Sequence, residues 1–332
     1  MGDKSTIEWT SATWNPIRGC SRVSEGCRHC YAERTAIRHV SMPTRPLGGV
    51  TKGQEPGAYH GLVTSTPQGP RWTGEVRFVE DALTLPLRWK APRRIFVNSM
   101  SDLFHEKVSD EWIDRIFAVM ALTQRHTYQI LTKRHERMCA YLTDPKHQQR
   151  VVNWMDRTLG PADHIGENGT DADGVSTFPC PSIHLGVSVE DERTAQTRIA
   201  ALIDTPAAVR WVSYEPALGP IDFRPYMPNA LWHDLPSWKQ PELDWIVVGG
   251  ESGPGARPFD LAWARSTITQ CRAAGVPVFV KQLGARPIIY LGDGHRNEVR
   301  VRPILLRDRK GGDWAEWPED LRVREFPTAS AA

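Results

Sequence analysis

The sequence predicts an α/β fold whose parallel strands form either a barrel or an open doubly wound sheet. Short runs rich in Val and Ile recur from the N-terminus to about residue 283. Runs that are apolar on successive positions fit strands buried on both faces of a parallel sheet. Helical patterns lie between them, and that alternation belongs to α/β chains. Polar residues follow nearly every run, as in a parallel barrel, where the strand ends converge on one face.

The runs are, in order, Thr13-Trp14-Asn15-Pro16-Ile17, Arg94-Ile95-Phe96-Val97-Asn98, Thr127-Tyr128-Gln129-Ile130-Leu131, Ile183-His184-Leu185-Gly186-Val187, Val209-Arg210-Trp211-Val212-Ser213, Asp244-Trp245-Ile246-Val247-Val248 and Pro277-Val278-Phe279-Val280-Lys281. Residues 110–124 place Trp112, Ile116, Phe117, Met120 and Ala121 on one helical face, with Ser109 as N-cap. Residues 190–203 and 260–273 show the same pattern, the second stopping at Gly275. Residues 41–75, rich in Gly, Pro and Thr, and 159–182, rich in Gly, Asp and Pro, are expected as surface insertions in a main domain of residues 1–284. Residues 285–332 are Arg-rich and irregular and carry Trp314, Trp317, Pro318 and Phe326-Pro327. They are expected as a C-terminal extension packed on that domain.

Among 332 residues, 40% are hydrophobic and 24% charged, enough for a sizeable core. Lys and Arg number 41 against 39 Asp and Glu, a net +2 that excludes a histone-like or strongly acidic protein. No apolar run approaches the ~20 residues that span a bilayer, and Met1-Gly2-Asp3-Lys4-Ser5 is no signal-peptide core. A cytoplasmic protein without a membrane partner is expected. Thirteen Trp are many for this length, and burial of several in the core accounts for them.

The polar groups after the strands are specific. The second run ends in Asn98-Ser99-Met100-Ser101-Asp102 and the third in Thr132-Lys133-Arg134. The fourth ends in Ser188-Val189-Glu190, the fifth in Ser213-Tyr214-Glu215, the sixth in Gly249-Gly250-Glu251-Ser252 and the seventh in Lys281-Gln282. Helix capping accounts for Ser188, Glu190 or Asp102. It does not account for Lys133, Lys281 or Gly249-Gly250, so a convergent site is expected.

The first run leads into Gly19-Cys20 and then Gly26-Cys27-Arg28-His29-Cys30-Tyr31-Ala32-Glu33, a C-x6-C-x2-C pattern. In a chain without a secretion signal, clustered cysteines bind metal more often than they form disulfides. Cys27 and Cys30 at a helix start place two thiolates on one side of a turn, and Cys20 folds back to complete the face. Arg18, Arg22 and Arg28 are expected to lower the thiol pKa values. Three thiolates with no obvious fourth suit a 4Fe–4S cluster with one open iron. Zinc wants four ligands, with His29 or a distant Cys as the fourth, and no second C-x2-C is present. Three unmetallated thiols are the remaining alternative. Cys139, Cys180 and Cys271 are expected as packing thiols.

The cysteine segment, together with Phe96-Val97-Asn98-Ser99-Met100-Ser101-Asp102, Leu131-Thr132-Lys133-Arg134, Leu185-Gly186-Val187-Ser188-Val189-Glu190, Gly249-Gly250-Glu251-Ser252-Gly253 and Phe279-Val280-Lys281-Gln282, resembles the phage-associated three-cysteine-motif family of unknown function over about residues 5–284. More widely, Asn15-Pro16-Ile17-Arg18-Gly19-Cys20 with Cys27, Cys30, Tyr31 and Ala32 is similar to the cluster segment of radical S-adenosylmethionine (SAM) enzymes, nearest to the branch related to spore photoproduct lyase. That resemblance implies a partial (β/α) barrel with the cluster loop after the first strand. The first cysteine gap is six residues where those enzymes have three, and a longer loop can still deliver the thiolate.

The resemblance further implies that Cys20, Cys27 and Cys30 bind three irons of a 4Fe–4S cluster. SAM would occupy the fourth iron and yield a deoxyadenosyl radical on reduction. It places His29 beside adenine, and Asn98, Ser99, Ser101 and Asp102 at the methionine amino group or ribose. The family's Gly-Gly-Glu is absent after the second strand; Gly249-Gly250-Glu251 stands after the sixth instead, where the glycines admit close ligand approach or form a turn. Lys133, Ser188, Glu190, Glu215 and Lys281 are candidates for ribose, carboxylate or substrate, with capping or buried ion pairs as the alternatives. Nucleic acid, DNA or RNA, is the expected substrate class. Arg71, Arg77, Arg88, Lys90, Arg93 and Arg94 beside Trp72 and Trp89 suit phosphates and bases, and Arg296, Arg300 and Arg302 would add a second patch. The competing class is a non-catalytic zinc- or cluster-stabilised barrel that binds nucleic acid or a partner protein.

Overall fold

Seven of the Val- and Ile-rich runs form strands of one main sheet: β1 (Ala12–Trp14), β2 (Arg94–Val97), β3 (Thr127–Thr132), β4 (Ile183–Val189), β5 (Val209–Tyr214), β6 (Trp245–Gly249) and β7 (Val278–Gln282). Their order across the sheet is their order in the chain. The pairs β1–β2, β2–β3, β5–β6 and β6–β7 are parallel. Every residue of β4, β5 and β6 is buried, the double-faced burial that non-alternating apolar runs require. Sequential parallel strands joined by helices make this the expected partial (β/α) barrel. The computed structural model describes residues 5–40, 57–159, 178–228, 242–291 and 300–327. None of its helices is long and apolar enough to cross a membrane.

The chain divides into two compact units, Met1–His184 and Leu185–Ala332. The first holds α1 (Tyr31–Ala36), α2 (Asp110–Ala121), α3 (His135–Thr143) and α4 (His147–Leu159). Helix α2 starts where predicted: the Ser109 side chain accepts from the Trp112 amide, and Ile113, Ile116, Phe117 and Met120 are buried. Within the interval 41–75, the described part contains an antiparallel hairpin of Val63–Thr66 and Gly69–Trp72. Tyr59, Leu62 and Val63 share a buried cluster with Ala32, Ala36 and Met100, with Trp72 packed against it. This segment thus braces α1 through an apolar contact. Residues 41–56 of that interval, and 160–177 of the other, lie outside the described residues.

The second unit holds α5 (Glu192–Ile203) and α6 (Leu261–Ala274). A capping box between Asp191 and Thr194 opens α5, and Gly275, at φ 71°, closes α6 as expected. The C-terminal segment covers the free edge of β7: the Val280 amide donates to the Val323 carbonyl at 2.8 Å, and the Glu325 amide to the Val278 carbonyl at 3.0 Å. Trp317 and Leu321 are buried beneath it, and the Arg324 guanidinium lies over the rings of Phe279, Trp314 and Trp317. Trp9, Trp14, Trp211, Trp245 and Trp317 are fully buried, so core packing absorbs much of the Trp content.

Candidate functional site

The cysteine loop begins where β1 ends, in the first unit. The Asn15 side-chain carbonyl accepts from the Met100 amide at 3.0 Å and from the Ser99 hydroxyl at 3.2 Å, tying the end of β1 to the end of β2. Ile17–Arg18 pairs antiparallel with Arg77–Phe78. Gly19 then adopts φ +91° against the Glu75 carbonyl, a place where a side chain would collide. Cys20 follows, Cys27 closes a turn of 3-10 helix (Glu25–Cys27), and Cys30 is the N-cap residue of α1.

All three cysteines are half-buried. Burial and the Asp102 carboxylate push the Cys20 thiol up to about 12; Arg134 pulls it down, and Cys30 and Cys27 push it further up. Burial also raises Cys30, with Cys27 adding to it. The expectation that Arg18, Arg22 and Arg28 lower these values is therefore corrected. Arg22 is bound to the buried Glu33, Arg28 lies 3.6 Å from Glu25, and Arg18 lies over the Tyr59 ring. The arginine beside a thiol is Arg134, whose Nη1 stands 3.8 Å from Cys20 Sγ. Buried thiols lacking sufficient positive charge hold their protons, and a bound metal cation supplies that charge. The donor chemistry of these half-buried thiols thus fits a thiolate-bound metal or cluster. Among the described residues no three Cys, His, Asp or Glu side chains are grouped closely enough to hold a single metal ion.

Around Cys20 the polar groups form one network. Arg134 donates from Nε to Glu106 at 2.9 Å, from Nη1 to Asp102 at 3.1 Å, and from Nη2 to the Ser21 carbonyl at 3.2 Å and its hydroxyl at 2.7 Å. Asp102 also accepts from the Thr132 hydroxyl at 2.7 Å and from the Phe104 and Lys133 amides. His105 Nε2 lies 3.0 Å from the Ser21 hydroxyl. Its Nδ1 accepts from the Lys107 amide, so Nε2 carries the proton. Glu33 accepts from Arg22 and, at 3.0 Å, from the Trp72 amide, which fixes α1 to the hairpin.

Among the predicted strand-end residues of this unit, Ser99, Ser101 and Asp102 already have partners within the protein. The Ser101 hydroxyl donates to the Ile17 carbonyl at 2.9 Å, and the Ser99 carbonyl accepts from the Tyr31 hydroxyl. Asn98 differs. It sits at φ 58°, a left-handed conformation that Asn tolerates. Its Oδ1 accepts from the Ile17 amide, and its buried Nδ2 has no hydrogen-bond partner among the described residues. That donor is the clearest polar group here left for a ligand. His29 is half-buried, and its carbonyl accepts from Arg34 at 3.0 Å.

In the second unit, Glu215 accepts from Lys281 Nζ at 2.7 Å and from the Ser213 hydroxyl at 3.4 Å. The Ser188 hydroxyl donates to the Glu215 carbonyl at 3.2 Å, and a Cβ at Gly249 would meet Glu215 Oε2 at 3.3 Å. Ser188, Glu215, Gly249 and Lys281 are thus brought together at the carboxyl ends of β4 to β7. Glu190 instead forms a buried ion pair with Arg198, and Glu251 binds Arg257 at 2.7 Å across its own loop. At Gly250 a Cβ would meet the Leu283 carbonyl at 2.5 Å, so backbone packing demands glycine there. An open groove of about 830 Å³, lined by Ile221, Met227, Thr269 and Ala273 among others, contains none of the predicted residues.

The basic stretch divides. Residues 88–94 enter β2 at its N-terminal end, whereas the cysteine loop leaves β1 at its C-terminal end, and the two strands are parallel. Arg88, Lys90, Arg93 and Arg94, with Arg93 over the Trp89 ring, therefore lie at the end of the strands away from the cysteines. Arg71 and Arg77 belong to the hairpin and the short strand on the cysteine side. Arg296 lies outside the described residues.

These features define an α/β protein with a partial barrel and a three-thiol loop after its first strand. A family model described as "Protein of unknown function (DUF5131)" matches residues 4–300, and the chain belongs to that family. Comparison with curated proteins and with solved structures gives no match.

Proposed function

We propose that this protein is a radical SAM-like iron–sulfur enzyme that modifies or repairs a nucleobase in DNA or RNA. The observation that carries the proposal is the placement of three half-buried cysteines in the loop between β1 and α1, the first of them 3.8 Å from the Arg134 guanidinium. Cys20, Cys27 and Cys30 would hold a 4Fe–4S cluster. With SAM bound, such a cluster supplies hydrogen-atom abstraction through a deoxyadenosyl radical. The chain's own residues bind and orient. The unsatisfied Asn98 Nδ2 donates to a polar ligand atom, and His29 packs beside a planar group. In the second unit, Lys281 and Glu215 fix a charged ligand group, with Ser188 and the bare Gly249 beside them. Arg71 and Arg77, on the cysteine side, are the basic residues suited to phosphates.

The experiment is iron and sulfide analysis after anaerobic reconstitution. Wild-type protein should carry about four of each per chain. Cys20→Ala, Cys27→Ala and Cys30→Ala should each lose most of that, and Cys139→Ala should not. Full loading of these three variants, or stoichiometric zinc in the wild type, sinks the cluster assignment. Salt-dependent binding to DNA or RNA oligonucleotides, weakened by substituting Arg71 and Arg77 together, tests the substrate class; no binding at low salt removes it.

A further inference from the structure

We infer that Arg134 positions the first cysteine of the site: its guanidinium anchors the loop carrying Cys20 and donates an N–H to the Cys20 sulfur. The inference rests on the three-cysteine reading above. A guanidinium has five N–H donors in a fixed plane, and here all five have acceptors. Nε serves Glu106, Nη1 serves Asp102 and Cys20 Sγ, and Nη2 serves the carbonyl and hydroxyl of Ser21. Arg134 is itself rigid. Its amide donates to the Thr132 hydroxyl at 2.9 Å, its carbonyl accepts from the Met138 amide as α3 begins, and only 7% of its surface is exposed.

Two features make this more than a structural ion pair. Asp102 and Glu106 together balance the Arg134 charge, so the contact with sulfur is a directed hydrogen bond more than a net positive field. Six residues separate Cys20 from Cys27, and Arg134 grips the residue directly after Cys20 at two atoms. The His105 N–H at the Ser21 hydroxyl adds a third hold on that residue. A hydrogen bond to a ligating sulfur withdraws electron density from it and makes the cluster easier to reduce.

The test compares wild type, Arg134→Gln and Arg134→Lys by potentiometric titration of the reconstituted protein and by metal retention under a chelator. Thermal melting identifies folded variants. Lysine keeps one charge for Asp102 and Glu106, so R134K is the variant expected to fold. It cannot reproduce a planar fork that reaches Ser21 and Cys20 together. Both variants should shift the reduction potential to more negative values and release metal faster, with R134K failing to restore either property. A folded R134K with wild-type potential and retention overturns the inference. Wild-type protein that takes up zinc instead of iron overturns the iron–sulfur reading separately; zinc retention then decides the role of Arg134 and must fall in both variants.

Discussion

Glu33 is 1% exposed and accepts from both Arg22 and the Trp72 amide. Glu33→Ala should destabilise the protein by about 3 kcal/mol, the order found when one partner of a buried pair is removed, and a shift of the urea midpoint measures it. Glu33→Gln should cost less, because the amide oxygen still serves the Trp72 N–H. The same scale shows what was legible in the sequence. The three cysteines and the glycine before them stood out by spacing alone. Arg134 did not, because its partners Cys20 and Ser21 lie 114 and 113 residues away and only the parallel register of β1 to β3 brings them together. The Thr132-Lys133-Arg134 group was visible as a strand-end cluster, but Lys133 looked the more exceptional residue. Its amide proves to be one of the supports of Asp102.

Strands and helices were legible where local chemistry sets them. Ser109 and Gly275 mark helix ends through capping and a left-handed turn, and both act as read. The first run, 13–17, breaks into two short strands because the Asn15 side chain ties to the Ser99 and Met100 segment instead of continuing the ladder. Backbone pairing of residues 278–280 with 323–325 was not legible, since an edge covered by an Arg-rich segment has no apolar periodicity. Close packing between β4 and β5 gives a sharp prediction. Gly186 leaves room for the Trp211 indole, and a Cβ there would overlap the ring Nε1 at 2.5 Å. Gly186→Ala should therefore displace the indole and cost about 2 kcal/mol, seen as altered near-ultraviolet circular dichroism and a lower denaturation midpoint. An unchanged near-ultraviolet spectrum would contradict this packing.

Over the whole molecule, buried titratable groups set an acid limit. Burial lowers both His147 and His184 to about 4, and among the described residues neither His147 ring nitrogen has a hydrogen-bond partner. A histidine whose folded pKa lies below its unfolded value contributes stability that is complete above the unfolded pKa of about 6.5 and is lost as the pH falls toward 4. Each should cost about 2 kcal/mol by pH 5. Burial raises Asp244 to about 6. The sign is opposite there, so Asp244 offsets about 1 kcal/mol over the same range. Urea midpoints at pH 7 and pH 5 should thus differ, and His147→Leu should flatten the difference; identical pH dependence in that variant would contradict the assignment.

On the proposed function, the three thiols hold a cluster with one iron open to SAM. Electron paramagnetic resonance of anaerobically reconstituted, dithionite-reduced protein, recorded with and without SAM, tests it most directly. A reduced 4Fe–4S signal whose shape changes when SAM is added is the expected result. Absence of an iron signal after reconstitution, with one zinc per chain in its place, would contradict it and make the three cysteines a structural staple.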